Sequence, residues 1–177
     1  MADIWKPKLG INIKVLTPGL FLFQFYHKDD MKWMMNNGPW SFDNAILVTN
    51  TIPARGDLTK VPLNEVEFWI QIYDLPSGYM AESVGKQLGN FFGSFVSYDL
   101  SNNTSNWHEY MRIKIKVDVH VPLKINKKLY KKDKSDFMVN YKYEKLADFC
   151  FVCGLLTHTE HFCKKKISGE VDDSSWE

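Results

Sequence analysis

YMRIKIKVDVHV, residues 110–121, alternates without a break. Met111, Ile113, Ile115, Val117 and Val119 fall on one side of an extended chain, and Arg112, Lys114 and Lys116 on the other. A strand with one apolar and one charged face is half-buried: it covers a core with one side and meets water with the other. Upstream, EFWIQIYDLP (67–76) reads as a second strand of this kind, ending in a turn. SGYMAESVGKQLGNFFG (77–93) reads as a helix, with Met80, Val84, Leu88 and Phe91 at helical spacing and Gly93 as its stop. SFVSYDL (94–100) is another strand, and SNNTSNWHE a polar loop that holds His108 and Glu109. Downstream, PLKINKKLYKKDKSD (122–136) reads as a basic loop, and FMVNYKYEKL (137–146) as a last strand.

The first third of the chain repeats the style less regularly. INIKVLT (11–17) and LFLFQFYH (20–27) are strands around a Pro18–Gly19 turn. DDMKWMMNNGPW (29–40) is a short helix. Asp29 or Asp30 can cap it, Met31, Met34 and Met35 supply core filling, and Gly38–Pro39 stops it. NAILVTNTI (44–52) is read as a strand and residues 53–64 as a surface loop. Together the elements predict an α+β fold: an antiparallel sheet with helices on one face, ferredoxin-like or RNA-recognition-like. The sheet's outer face centres on RIKIK, which suits phosphate contact rather than the base stacking of an RNA-recognition sheet.

Net charge is +1, but this conceals an asymmetry. Residues 112–166 hold 14 Lys/Arg against 6 Asp/Glu, and the remainder 8 against 15. Such a split points to a localised anionic partner. Apolar residues at 45% and aromatics at 15% are enough for a core. No apolar run approaches the ~18 residues of a membrane span, and the first ten residues lack the apolar core of a signal peptide. Three clustered cysteines do not make a disulfide framework, so a reducing compartment, nuclear or cytoplasmic, is expected.

All three cysteines lie in FCFVCGLLTHTEHFCKKK (149–166). Cys150, Cys153, His158 and Cys163 spell C-x2-C-x4-H-x4-C. Thiolates and an imidazole are the ligands zinc prefers, and four of them close its tetrahedron. One structural Zn2+ is therefore expected, supplying the folding free energy of a loop too poor in apolar residues to fold alone. Gly154 suits the left-handed turn after the second cysteine, while His161 is a rival ligand at the wrong spacing. No phosphate-cradling glycine loop, H-E-x-x-H or nucleophile elbow is found, so no enzyme is expected.

The spacing is similar to the retroviral-type zinc knuckle, a compact binder of single-stranded nucleic acid. More of the chain also resembles a plant family: LFLFQF (20–25), GPWSFDNAILV (38–48), VPLNEVEFWIQIYDLPSGYM (61–80), VGKQLGNFFGSFVSYD (84–99), EYMRIKIKVDV (109–119), PLK (122–124) and YEKLADFCFVCGLLTH (143–158). That family joins a domain of unknown function (DUF4283) to a terminal CCHC knuckle, and many members are associated with LINE-type retroelements. The resemblance implies zinc and nucleic-acid binding. Family members usually begin with a further strand and helix, so the first unit looks shortened, with a sheet edge left open. They usually carry a basic residue after the glycine and a glycine before the histidine, where this chain has Leu155 and Thr157. Thr157 is expected to strain its turn by about 1 kcal/mol.

The resulting organisation is a shortened α+β unit at 1–64, a second unit with the basic strand and loop at 65–146, the knuckle at 147–166 and an acidic disordered tail at 167–177. The expected partner is single-stranded RNA or DNA, bound with low sequence specificity. Phe151 and Phe162 would stack on bases. Lys164, Lys165 and Lys166 would meet phosphates, continued by Arg112, Lys114, Lys116, Lys124, Lys127, Lys128, Lys131 and Lys132. The rival reading is a protein-interaction module that pairs along an open strand edge, with zinc as a structural clamp only.

Overall fold

A computed structural model describes residues 2–54, 56–76, 78–104, 109–130 and 136–168. The tail from 169 onward, His108, Lys131 and Lys132 lie outside the described residues. The chain forms two compact units, Met1–Gly38 and Pro39–Glu177. The division falls at Gly38 rather than at the expected residue 64.

In the first unit a four-residue helix, α1 (Ala2–Trp5), precedes β1 (Ile11–Thr17) and β2 (Leu20–Phe25). The two strands pair antiparallel, Ile11 opposite Phe25, with a bulge between Val15 and Thr17. Trp5 is buried, its ring 5.0 Å from Phe23 and 5.9 Å from Phe25. Helix α2 (Lys28–Asn37) buries Met34, as the methionine spacing predicts. Its cap is neither aspartate: His27 Nδ1 accepts from the Asp29 backbone N–H at 3.1 Å. Asp29 and Asp30 sit instead in the first turn, where their charge suits the helix dipole.

The second unit opens with a small hairpin, β3 (Trp40–Phe42) and β4 (Ala45–Leu47). The long strand expected over 44–52 shrinks to three residues, because Asp43 and Asn44 take left-handed turn conformations and pairing ends after Leu47. Ile46 and Val48 still pack on the main core.

That core is one face of a five-stranded antiparallel sheet. Its strands are β5 (Glu65–Tyr73), β6 (Ser94–Tyr98), β7 (Tyr110–Asp118), β8 (Asn126–Tyr130) and β9 (Asp136–Tyr143), in the order β6-β7-β5-β9-β8. Strand β7 pairs along its whole length with β5, Ile113 opposite Ile70 and Lys114 opposite Trp69. The predicted alternation holds, and Phe68, Ile70, Ile72, Met111, Ile113 and Ile115 are fully buried.

Helix α3 (Glu82–Phe92) lies on this face. Its inward stripe is Gly85, Leu88, Gly89 and Phe92, so Phe92 rather than Phe91 enters the core. Gly93 ends the helix where no side chain fits: a Cβ there would collide with the Lys116 carbonyl oxygen.

A face with several helices is not what forms. Among the described residues α3 is the one longer helix of this unit, and the passage from β7 to β9 runs through residues 119–125 and strand β8. The expected basic loop thus contains an edge strand. Lys127 and Leu129 alternate with exposed Lys128 and Tyr130, a strand pattern hidden by its lysines.

Candidate metal centre

The knuckle hangs from the end of β9 and folds back on itself. Cys150 N–H donates to the Leu155 carbonyl at 2.9 Å, and Gly154 N–H donates to the Cys150 carbonyl at 2.7 Å. Gly154 takes φ +75°, the left-handed turn predicted for it. The loop is seated on the sheet unit, because Leu123 N–H donates to the Gly154 carbonyl at 2.9 Å and Leu156 belongs to the buried core. A one-turn helix, α4 (Lys164–Ile167), follows the last cysteine.

The ligand atoms of Cys150, Cys153, His158 and Cys163 all lie within 4.8 Å of one another. Cys153 Sγ is 3.3 Å from His158 Nε2. Metal bonds of about 2.3 Å to sulfur and about 2.0 Å to nitrogen place tetrahedral ligand atoms roughly 3.5–3.8 Å apart. The donor set and its spread therefore fit one Zn2+ with no protein position left open, the arrangement of a structural site. Cys150 and Cys163 are almost wholly buried, which would shield their bonds to a metal from water. Exposed His161 is not part of the cluster. Thr157 carries no left-handed backbone, so the expected strain is absent. Its hydroxyl instead lies 3.1 Å from His158 Nδ1.

Around this centre the two aromatics remain accessible: Phe162 is 76% exposed and Phe151 56%, although Phe151 also leans on Phe149 at 4.4 Å. Lys164, Lys165 and Lys166 are exposed on α4, with Lys166 Nζ 3.5 Å from the Glu160 carboxylate.

The sheet's cations are placed differently from a free electrostatic track. Arg112 Nη1 donates to Asp99 at 2.5 Å, and its Nε and Nη2 donate to the two oxygens of Glu144 at 2.8 Å. Lys114 pairs with Glu67 at 3.2 Å, Lys116 with Glu65 at 3.8 Å, and Lys128 with Asp136. Lys124 Nζ donates to the Phe91 carbonyl at 2.7 Å, at the C-terminus of α3, where a cation opposes the helix dipole. Lys127 lies 3.1 Å above the centre of the Phe91 ring, and burial together with neighbouring Lys124 lowers its pKa. Most of these charges are thus balanced within the fold. Arg112, Lys114 and Lys116 reach carboxylates because β5 and the ends of β6 and β9 bring acidic residues to this face of the sheet, an arrangement invisible in any one segment.

Sequence reading also passed over the aromatics of this face. Trp69 and Tyr73 alternate with the core residues of β5, and Tyr110 opens β7 with its ring 5.2 Å from Tyr73. The Arg112 guanidinium carbon sits 4.0 Å over Trp69 and covers that ring. The period-2 pattern of EFWIQIY held this signal, since Trp69 and Tyr73 fall on the opposite parity from Phe68, Ile70 and Ile72.

Comparison with known proteins agrees with the chemistry. Residues 117–165 match the zinc knuckle family, so the matched module includes β8 and β9 as well as the four ligands. Residues 1–57 match the domain of unknown function DUF4283. The uncharacterized protein At4g02000 of Arabidopsis thaliana is 22% identical over 134 residues, which cover 76% of this chain and 42% of that protein. No solved structure matches the chain significantly. The chain is thus similar to DUF4283 over its first third and to a zinc knuckle near its C-terminus, the two modules, in the same order, that its residues resemble.

Proposed function

We propose that this chain is a zinc-dependent binder of single-stranded nucleic acid with low sequence specificity, derived from a retroelement. The observation that carries the reading is the metal cluster flanked by solvent-facing Phe162 and Phe151, with three exposed lysines directly after the last ligand. Aromatic rings beside a short cationic run offer stacking to any base and attraction to any phosphate. Lysines meet phosphates as point charges and give no bidentate base readout, which favours low specificity. The retroelement origin rests on the resemblance of the chain's residues to a family many of whose members are associated with LINE-type retroelements. On this reading the protein binds rather than catalyses, in the nucleus or cytoplasm.

The neutralised sheet sharpens the expectation. If phosphate contact rests on Lys164, Lys165 and Lys166, about two or three phosphates are engaged, and log K should fall with log salt at a slope near −2. Anisotropy titrations of labelled single-stranded RNA and DNA at several salt concentrations test this. Phe162→Ala should weaken binding by about 1–3 kcal/mol. Salt-independent binding, or an unchanged Phe162→Ala, would refute the reading.

A protein-interaction module is the second reading. The observation favouring it is edge strand β6, SFVSY, which carries no charged residue, although its bulge between Phe95 and Ser97 resists edge pairing. Sedimentation of the chain with and without oligonucleotide separates the two.

A further inference from the structure

The residue before the ligating histidine has a role that its position alone does not announce. An imidazole can bind zinc only through a nitrogen that carries no proton, so the other nitrogen of the neutral ring must carry it. In this loop Nε2 is the atom turned toward the cluster, 3.3 Å from Cys153 Sγ. Nδ1 is turned away and faces the hydroxyl of Thr157 at 3.1 Å. Metal-bound histidines nearly always donate this second N–H to an oxygen, and removing that oxygen typically weakens metal affinity 10–100-fold. Among the described residues no other oxygen bonds His158 Nδ1, and Thr157 is itself exposed.

We infer that Thr157 is the positioning residue of the metal centre: its hydroxyl accepts the Nδ1–H of His158, fixes the tautomer that leaves Nε2 free, and holds the ring toward the three thiolates. The inference rests on the zinc reading. A glycine at this position would lack the hydroxyl, so the loop achieves through a side chain what a bare turn must leave to water or a carbonyl. The departure at Thr157 therefore strengthens the metal site.

The test uses the full chain and zinc itself. Zinc affinity is measured by competition with a chromophoric chelator for wild type, Thr157→Val, Thr157→Gly and Thr157→Ser. Long-range 1H–15N spectra of the histidine rings report which nitrogen is protonated, and cobalt(II) spectra report the ligand geometry. Thr157→Val and Thr157→Gly are expected to raise the zinc Kd about 10-fold or more. Thr157→Ser should stay within about twofold of wild type and keep the Nδ1–H tautomer. Because the position is exposed, far-UV circular dichroism of the zinc-loaded variants should be unchanged. Wild-type affinity in Thr157→Val, or failure of serine to restore what valine removes, would overturn the inference while leaving the zinc site intact. A wild-type chain that binds no zinc would overturn the zinc reading itself.

Discussion

Arg112 ties four strand segments together, and its removal yields the largest effect the sheet predicts away from the metal. Its guanidinium spans Asp99 after β6 and Glu144 after β9, while its backbone N–H and carbonyl are both bonded to the buried Asn102 side chain. Gln71 and Tyr73 of β5 complete the chain of bonds to Glu144. The three ionic side chains are 27%, 19% and 24% exposed, neither free in water nor sealed. Exposed pairs contribute ~0.2–1 kcal/mol, while breaking a buried pair costs ~3–5 kcal/mol. Arg112→Met should therefore destabilise this unit by about 2–4 kcal/mol, including the contact with Trp69.

The sign with pH follows from the carboxylates. Hydrogen bonds from Arg112 hold Glu144 below its ordinary value against the effect of burial. For Asp99 burial is the largest influence and acts upward, but the bonds from Arg112 and Ser101 together outweigh it. Groups depressed in the folded state stabilise fully above their unfolded pKa, and that contribution is lost as pH falls through the folded values. The difference between wild type and Arg112→Met should be full at pH 7 and shrink as pH drops below about 4.5. Hydrogen exchange of β5 and β7 amides in zinc-loaded protein reads this unit apart from residues 2–38. A difference under about 1 kcal/mol at pH 7, or one that does not change with pH, would refute the clamp.

Other consequences are sharper in sign than in size. Tyr141 is buried, its hydroxyl makes no hydrogen bond among the described residues, and burial pushes its pKa far up. Tyr141→Phe should leave stability unchanged or raise it by about 1 kcal/mol in urea unfolding, since the orphan hydroxyl costs desolvation. A clear loss of stability would reveal a partner for that hydroxyl. Leu156→Ala should cost about 2–4 kcal/mol and also weaken zinc binding, because this side chain joins the knuckle to the core. Chelator competition and urea unfolding should therefore move together. Gly93→Ala should destabilise the sheet through collision with the Lys116 carbonyl, although its extended φ of −179° adds no strain. A thermal midpoint equal to wild type would contradict that packing.

The sequence spoke most clearly where a single element's pattern determines its environment. Alternation in YMRIKIKVDV specified the core-facing residues of β7, although Lys114 on the opposite face is buried as well, and the spacing of Cys150, Cys153, His158 and Cys163 specified the cluster. What escaped reading depends on partners distant in the chain. Arg112 looked like a phosphate contact because Glu144 and Asp99 meet it only after strands β6, β7, β5 and β9 assemble. Strand β8 looked like a loop because its fit comes from pairing with β9 rather than from hydrophobicity. Thr157 looked like a flaw because its turn was expected to need a left-handed residue, whereas its backbone takes an ordinary conformation.

The central claim is that a four-ligand zinc centre organises the C-terminal part of this chain. Metal analysis of the purified protein, repeated for Cys150→Ser, tests it most directly. The account predicts one zinc per wild-type chain, loss of tight zinc binding in Cys150→Ser, and reduced hydrogen-exchange protection around Leu123 and Gly154 when the metal is stripped. A metal-free wild type that is equally protected there would contradict it.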